Sequence, residues 1–208
     1  MTEPHRFGAP RAALSRLLNA QLTFWVVLAL PAVPLLHQLL FGNIHRLLAP
    51  SGLYAVRFLI ATLLIAPLAL LFPGVALLRW LKKRRRALGV ASFGYAALHT
   101  LAYVLDEGAA AAMLAALPDP AIWTGWLAFL ILFALAAISN DAALRRLGPW
   151  WKPVQRLAYL AAVLVAVHWV SLQYHFGPML VHFLALAVLS LWRLGRWRKW
   201  WGRDARPG

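Results

Sequence analysis

The 208-residue sequence contains no cysteine, which removes disulfides, thiolate metal sites, iron–sulfur clusters and thiol nucleophiles from consideration. Acids are nearly as scarce, with 6 Asp+Glu against 21 Lys+Arg, and no carboxylate falls inside an apolar run. That argues against a proton- or ion-coupled transporter, whose intramembrane acids are the usual mark. Charged residues total 13%, about half the roughly 25% of a soluble domain. No glycine-rich dinucleotide fingerprint, P-loop, His-Glu-x-x-His or Gly-x-Ser-x-Gly element is found. Any metal or cofactor must therefore be held by His, Asp, Glu or backbone. What fills the chain instead is apolar: 62% hydrophobic residues, a composition that argues against a soluble globular enzyme.

The apolar residues fall into six runs, each near the roughly 20 residues that cross a bilayer as helix. They lie at about Gln21–Leu40, Tyr54–Phe72, Ala87–Leu105, Ile122–Ser139, Val154–Leu172 and Pro178–Trp192, the last being short. The predicted fold is all-α, a six-helix transmembrane bundle over residues 21–193 with a tail at 1–20 and a basic tail at 194–208. The basic start runs into a full-length span without a small-residue cleavage site, so the first span is expected to stay as an anchor. No stretch of about 100 residues remains for a flavin- or nicotinamide-binding domain. If the protein moves electrons, another molecule must supply them.

A net charge of +15 would suggest nucleic acid in a soluble protein. Sorted by loop, the cations tell a different story. Arg6, Arg11 and Arg16, the run Arg79–Arg86, Arg145, Arg146, Lys152 and Arg156, and the C-terminal arginines all fall on one side of the predicted bundle. Cytoplasmic loops carry the Lys/Arg excess, so both termini are predicted cytoplasmic in a bacterial inner membrane, and no nucleic-acid partner is expected. Tryptophans at 150, 151, 197, 200 and 201 fit interfacial belts in contact with lipid headgroups.

This orientation places six of the seven histidines toward the outer face, with His5 alone on the inner side. His99 lies six residues from the outer end of its span and His168 four, about 9 and 6 Å deep at 1.5 Å per residue. Two neutral imidazoles at one level on neighbouring helices are what bis-histidine haem ligation requires. His37 and His182 lie at a similar level, so depth alone does not choose the pair, and each histidine could instead hydrogen-bond a hydroxyl or carbonyl. Arg57, the one clear charge within a span, either snorkels to the surface or meets a haem propionate.

Three blocks resemble a known family. They are Val56-Arg57-Phe58-Leu59-Ile60-Ala61-Thr62-Leu63-Leu64-Ile65-Ala66-Pro67-Leu68; Arg85-Arg86-Ala87-Leu88-Gly89 leading to Tyr95-Ala96-Ala97-Leu98-His99; and Ser139-Asn140-Asp141 through Gly148, Trp151 and Arg156-Leu157-Ala158-Tyr159-Leu160 to Val167-His168-Trp169. The chain is similar to the MsrQ (YedZ) family, haem-binding membrane subunits within the ferric-reductase-like transmembrane class. The resemblance implies a haem b cytochrome with His99 and His168 as axial ligands and no substrate chemistry of its own. It would take electrons from the quinone pool or a cytosolic flavin reductase, with FMN as a further cofactor, and pass them to the periplasmic molybdopterin enzyme MsrP. That partner repairs methionine sulfoxide in oxidised periplasmic proteins.

One position departs from the family pattern. Gln155 stands thirteen residues before His168, where the family typically has a histidine, so a second, inner haem is in question here. A flavin phosphate against Arg84, Arg85, Arg86, Arg145 or Arg146 would shorten the remaining path, although positive-inside topology accounts for those arginines by itself. A cytochrome serving another acceptor, or a cofactor-free membrane scaffold or transporter, are the alternative readings.

Overall fold

The computed structural model describes residues 21–173 and 176–204. The tail 1–20, with His5 and its arginines, and His175 and Arg206 lie outside the described residues. Every regular element described is helical: α1 (Gln21–Ala29), α2 (Ala32–Phe41), α3 (His45–Leu71), α4 (Ala76–Glu107), α5 (Ala110–Ala116), α6 (Pro120–Ala137), α7 (Asp141–Leu147), a short 3-10 turn (Gly148–Trp150), α8 (Trp151–Gln155), α9 (Leu157–Gln173) and α10 (Phe176–Asp204).

The all-α expectation holds among the described residues, where the six expected spans are not all found as single membrane-long helices. Among the described residues four segments are long and apolar enough to cross a membrane: α3, α4, α6 and the run Asp141–Leu172, whose apolar part is α9. The first expected span is a bent pair, α1 and α2, meeting at 43°; counted as one, it makes five. Pro31 sits at that bend, where it removes an N–H and its ring opposes continuation of the ladder. The sixth expected span is a shorter apolar stretch, Gly177–Arg193, within α10, and α10 itself runs on to Asp204.

Two boundaries also differ from the sequence expectation. The basic segment expected as a loop before span three is the first three turns of α4, because Leu, Arg and Lys are good helix formers and nothing from Ala76 to Arg86 breaks a helix. At 32 residues α4 is about 48 Å long, well beyond the roughly 30 Å of hydrocarbon, so its cationic end projects. Span two begins at His45 rather than Tyr54, continuing through Pro50, which falls in its second turn.

Small residues decide which helices approach closely. The α3–α4 contact buries Ser51, Ala55, Ser92, Ala96 and Ala102, and the Ser92 hydroxyl donates to the Ala55 carbonyl across it at 2.9 Å. The α6–α9 contact is built likewise from Ala121, Thr124, Ala128, Ala161 and Ala162. Without a hydrophobic driving force inside lipid, such close backbone approach supplies the packing. Contacts of α4 with α6 and of α3 with α9 join the two pairs into a four-helix core, with α10 against α3 and α9.

Longer side chains fill the centre: Leu47, Leu59, Leu63, Tyr95, Leu132 and Leu135 are buried together. A second cluster of Phe24, Leu28, Ile65 and Leu88 seats α1 on α4. There the Tyr95 hydroxyl donates to the Leu28 carbonyl at 2.8 Å, satisfying an acceptor in α1's last turn. Many large apolar side chains, Val26, Leu30, Phe133, Val163 and Leu191 among them, remain exposed, as lipid-facing surface would.

Candidate functional site: a pair of imidazoles between two helix pairs

Each core pair of helices contributes one histidine. His99 projects from α4 and His168 from α9, both partly buried, with ring centroids 6.1 Å apart and planes at 84°. The sequence left four histidines at comparable depth, and the fold brings these two together. His37 is exposed on α2 with its ring against Phe41 of the next turn. His182 on α10 packs against Trp169 at 5.2 Å, and its Nδ1 lies 2.7 Å from the Pro178 carbonyl in its own helix.

The two central imidazoles are held alike. His99 Nδ1 donates to the Leu48 carbonyl of α3 at 2.9 Å, and His168 Nδ1 to the Ala121 carbonyl of α6 at 2.5 Å. A carbonyl can only accept, so each ring is oriented with its proton on Nδ1 and its lone pair on Nε2. This is the outer hydrogen bond that metal-ligating histidines characteristically make. Ser51 adds a polar neighbour: its buried hydroxyl donates to the carbonyls of Leu47 and Leu48 at 2.6 and 3.0 Å and lies 3.4 Å from His99 Nδ1.

Two glycines make room for the rings. A Cβ at Gly52 would stand 3.1 Å from His99 Nδ1 and Cε1; at Gly125 it would stand 2.8 and 2.9 Å from the same atoms of His168. Each imidazole thus lies edge-on against a bare backbone of the neighbouring helix, one turn from the carbonyl that holds it. Depth arguments did not identify Ser51, Gly52 or Gly125. The available signal was a glycine within an apolar span, which marks close approach without saying of what.

These residues fit a metal held by two imidazoles. The 6.1 Å separation is of the size of two metal–nitrogen bonds of about 2 Å each plus the two ring radii. Among the described residues no group of three or more His, Cys, Asp or Glu could hold a metal ion unaided. A metal here would need its remaining ligands from elsewhere, as a porphyrin supplies.

The other predicted residues lie apart from this pair. Arg57 is exposed, twelve residues into α3 rather than at its lip, and about 140° round the helix from Gly52 at 3.6 residues per turn. Arg84 lies over the Trp80 ring at 4.1 Å. Arg86 pairs with Asp141 at 2.5 Å and stands 5.7 Å from the Trp151 ring centre, and its hydrogen bond and positive charge hold the Asp141 carboxyl below the usual carboxylate range. Arg85 is partly buried on another side, near Tyr159 and Arg193, while Arg145 and Arg146 are exposed on α7. The five arginines therefore do not converge on one point.

Gln155 ends α8 at the break before α9. Its Nε2 donates to the Leu135 carbonyl at 3.3 Å and to the Ser139 hydroxyl at 3.2 Å, fastening that break to the end of α6. Thirteen residues before His99, the matching distance along α4, stands Arg86. Neither helix offers an imidazole at that level, about 20 Å from the histidine pair.

A family model for the ferric reductase-like transmembrane component matches residues 51–167, a range that includes His99 and both glycines and ends one residue before His168. The chain is 38% identical over 149 residues to proteins named protein-methionine-sulfoxide reductase heme-binding subunit MsrQ from Brucella ovis, Brucella suis biovar 1 and Brucella melitensis biotype 2. Each match covers 70% of this chain and 66% of the relative, just under two thirds of the relative's length. No solved structure matches.

Proposed function

This chain belongs to the ferric reductase-like transmembrane family, and from that premise we propose that it is a haem b membrane subunit carrying electrons to a partner protein. The observation that carries the reading is the imidazole pair, oriented from two helix pairs with both Nε2 lone pairs free of the carbonyl bonds. His99 and His168 would hold the iron, and the haem would supply a one-electron couple. Two protein ligands leave no open coordination position, so the site suits electron transfer rather than chemistry on a substrate. The chain's own part is to hold both rings rigidly through Leu48, Ala121, Gly52 and Gly125. A site preset by such contacts needs little rearrangement when its charge changes by one.

The likeness to relatives named as heme-binding subunits of protein-methionine-sulfoxide reductase supports the periplasmic molybdopterin enzyme MsrP as partner, in repair of oxidised periplasmic proteins. The chain would then be a multi-pass inner-membrane protein with both termini cytoplasmic and the histidine pair near the outer face. Residues 21–193 form its membrane domain between tails 1–20 and 194–208. Electrons would enter from the quinone pool or a cytosolic flavin reductase at the arginine end. FMN belongs to the same proposal, its phosphate taken from among Arg84, Arg85, Arg86, Arg145 and Arg146. Loss of bound FMN on changing them, with haem retained, supports that part, and unchanged FMN content overturns it. Gln155, occupied in hydrogen bonds to α6, favours a single haem.

The decisive experiment is the absorption spectrum of the protein purified from membranes. A Soret band that sharpens and shifts on dithionite reduction is expected, lost in His99→Ala and His168→Ala and kept in His37→Ala and His182→Ala. A colourless protein that reconstitutes no haem defeats the cytochrome reading. Haem without co-purifying MsrP leaves a cytochrome serving another acceptor.

A further inference from the structure

Away from the histidines, an apolar groove of about 490 Å³ runs between α9 and α10. Tyr159, Ala166 and Val170 line it from α9, and Phe183, Ala187 and Ser190 from α10. From Tyr159 to Val170 it extends about 16 Å at 1.5 Å per residue, close to the depth of one leaflet of a roughly 30 Å hydrocarbon core.

Ser171 lines the far end of this groove, and Tyr159 and Ser190 line the arginine end. The Ser190 hydroxyl is buried without a hydrogen-bond partner, although a helical serine ordinarily returns its proton to a carbonyl one turn back. Arg193 follows one turn later on α10. Arg85 enters from α4, partly buried, and lies within electrostatic reach of Tyr159 and Arg193. Two guanidinium groups within electrostatic reach repel, the more so when partly withdrawn from water. Asp141, an acid at this end, is engaged by Arg86. Two cations, an unsatisfied hydroxyl and a leaflet-deep apolar groove therefore meet at one end of the helix pair.

We propose that the α9–α10 groove binds one anionic phospholipid, its phosphodiester held by Arg85, Arg193 and the Ser190 hydroxyl, with an acyl chain along Ala166 and Ala187. Arginine pairs bind phosphate oxygens through charge-assisted, often bidentate hydrogen bonds, and basic pockets between membrane helices are established sites for anionic headgroups. A free phosphate would leave the groove unfilled. A quinone ring, being neutral, would leave the two cations unrelieved. The proposed headgroup contacts, Arg85, Arg193 and Ser190, are not among the residues that hold the imidazole pair, so the proposal does not rest on the haem reading.

The test uses the full-length protein in detergent, titrated with phosphatidylglycerol or with phosphatidylcholine of the same chains and followed by native mass spectrometry. One tightly retained phosphatidylglycerol is expected, undisplaced by inorganic phosphate, with phosphatidylcholine lost. Arg85→Gln with Arg193→Gln should weaken retention roughly tenfold or more. Lys82→Gln with Lys83→Gln removes the same charge from exposed positions of α4 and should leave it unchanged. Ala187→Phe fills the groove, keeps every charge and should also release the lipid, so the proposal stays testable if the arginine variant misfolds. Equal retention of phosphatidylcholine, equal weakening by the lysine variant, full retention in Ala187→Phe, or displacement by ubiquinone would each overturn it.

Discussion

Adding one methyl group to Gly125 tests the geometry of the proposed haem site directly. A Cβ there would lie 2.8 Å from His168 Nδ1, 0.6 Å inside the 3.4 Å at which ordinary contact begins, and the ring cannot retreat without lengthening its bond to the Ala121 carbonyl. Overpacking of this kind costs about 1–3 kcal/mol, and disturbing the outer hydrogen bond of a metal-ligating histidine typically costs about 10–100-fold in affinity. Gly125→Ala should therefore lower haem retention roughly 10–100-fold, or leave bound haem partly high-spin as one axial bond weakens. Haem per protein by pyridine haemochrome, with the low-spin signal by electron paramagnetic resonance, reads both outcomes. Gly52→Ala should act in the same sense but more weakly, since its Cβ falls only 0.3 Å inside that limit, at 3.1 Å from His99. Gly94→Ala is the control, because nothing lies within 4 Å of its Cβ. If Gly125→Ala matched Gly94→Ala in haem content and spin state, the ring would not be seated on that glycine and the argument would fail.

Other consequences are open to measurement. Gln155→His should leave one haem per chain, because the matching level of α4 carries Arg86, already paired with Asp141; a second haem by stoichiometry would refute this. Tyr95→Phe leaves the buried Leu28 carbonyl without its donor and should cost about 1–3 kcal/mol, seen as a lower melting temperature, with the Soret band unchanged. Asp141, held below the usual carboxylate range by Arg86, contributes to stability above its unfolded-state pKa and loses that contribution as pH falls through the lower folded-state value. Asp141→Asn should flatten that acid limb of the stability profile, and an unchanged limb would place the titration elsewhere.

The helical class was legible because hydrocarbon leaves backbone polar groups only helical or barrel solutions, and uninterrupted apolar runs select helices. The lengths were less legible. Hydropathy found where α3 and α4 are apolar, but polar turns at His45–Leu53 and Ala76–Arg86 continue the helices because main-chain hydrogen bonding does not stop where hydrophobicity does. Pro31 and Pro50 look alike in sequence. One lies at the 43° bend between α1 and α2, and the other sits in the second turn of α3 without ending it. Context, not residue type, separates them.

The sequence by itself determined the chemistry available: without cysteine and with acids confined to the ends of the apolar runs, imidazole was the remaining strong metal ligand within the membrane segments. It also determined a depth for each histidine, because rise along a helix is local geometry. Only the tertiary structure decided which two meet. Pairing depends on which helices approach closely and how each is rotated, and that was settled by small residues far apart in the chain. Gly52 and Gly125 bare two helix surfaces, the carbonyls of Leu48 and Ala121 orient the rings laid against them, and His37 and His182, at similar depth, are turned aside.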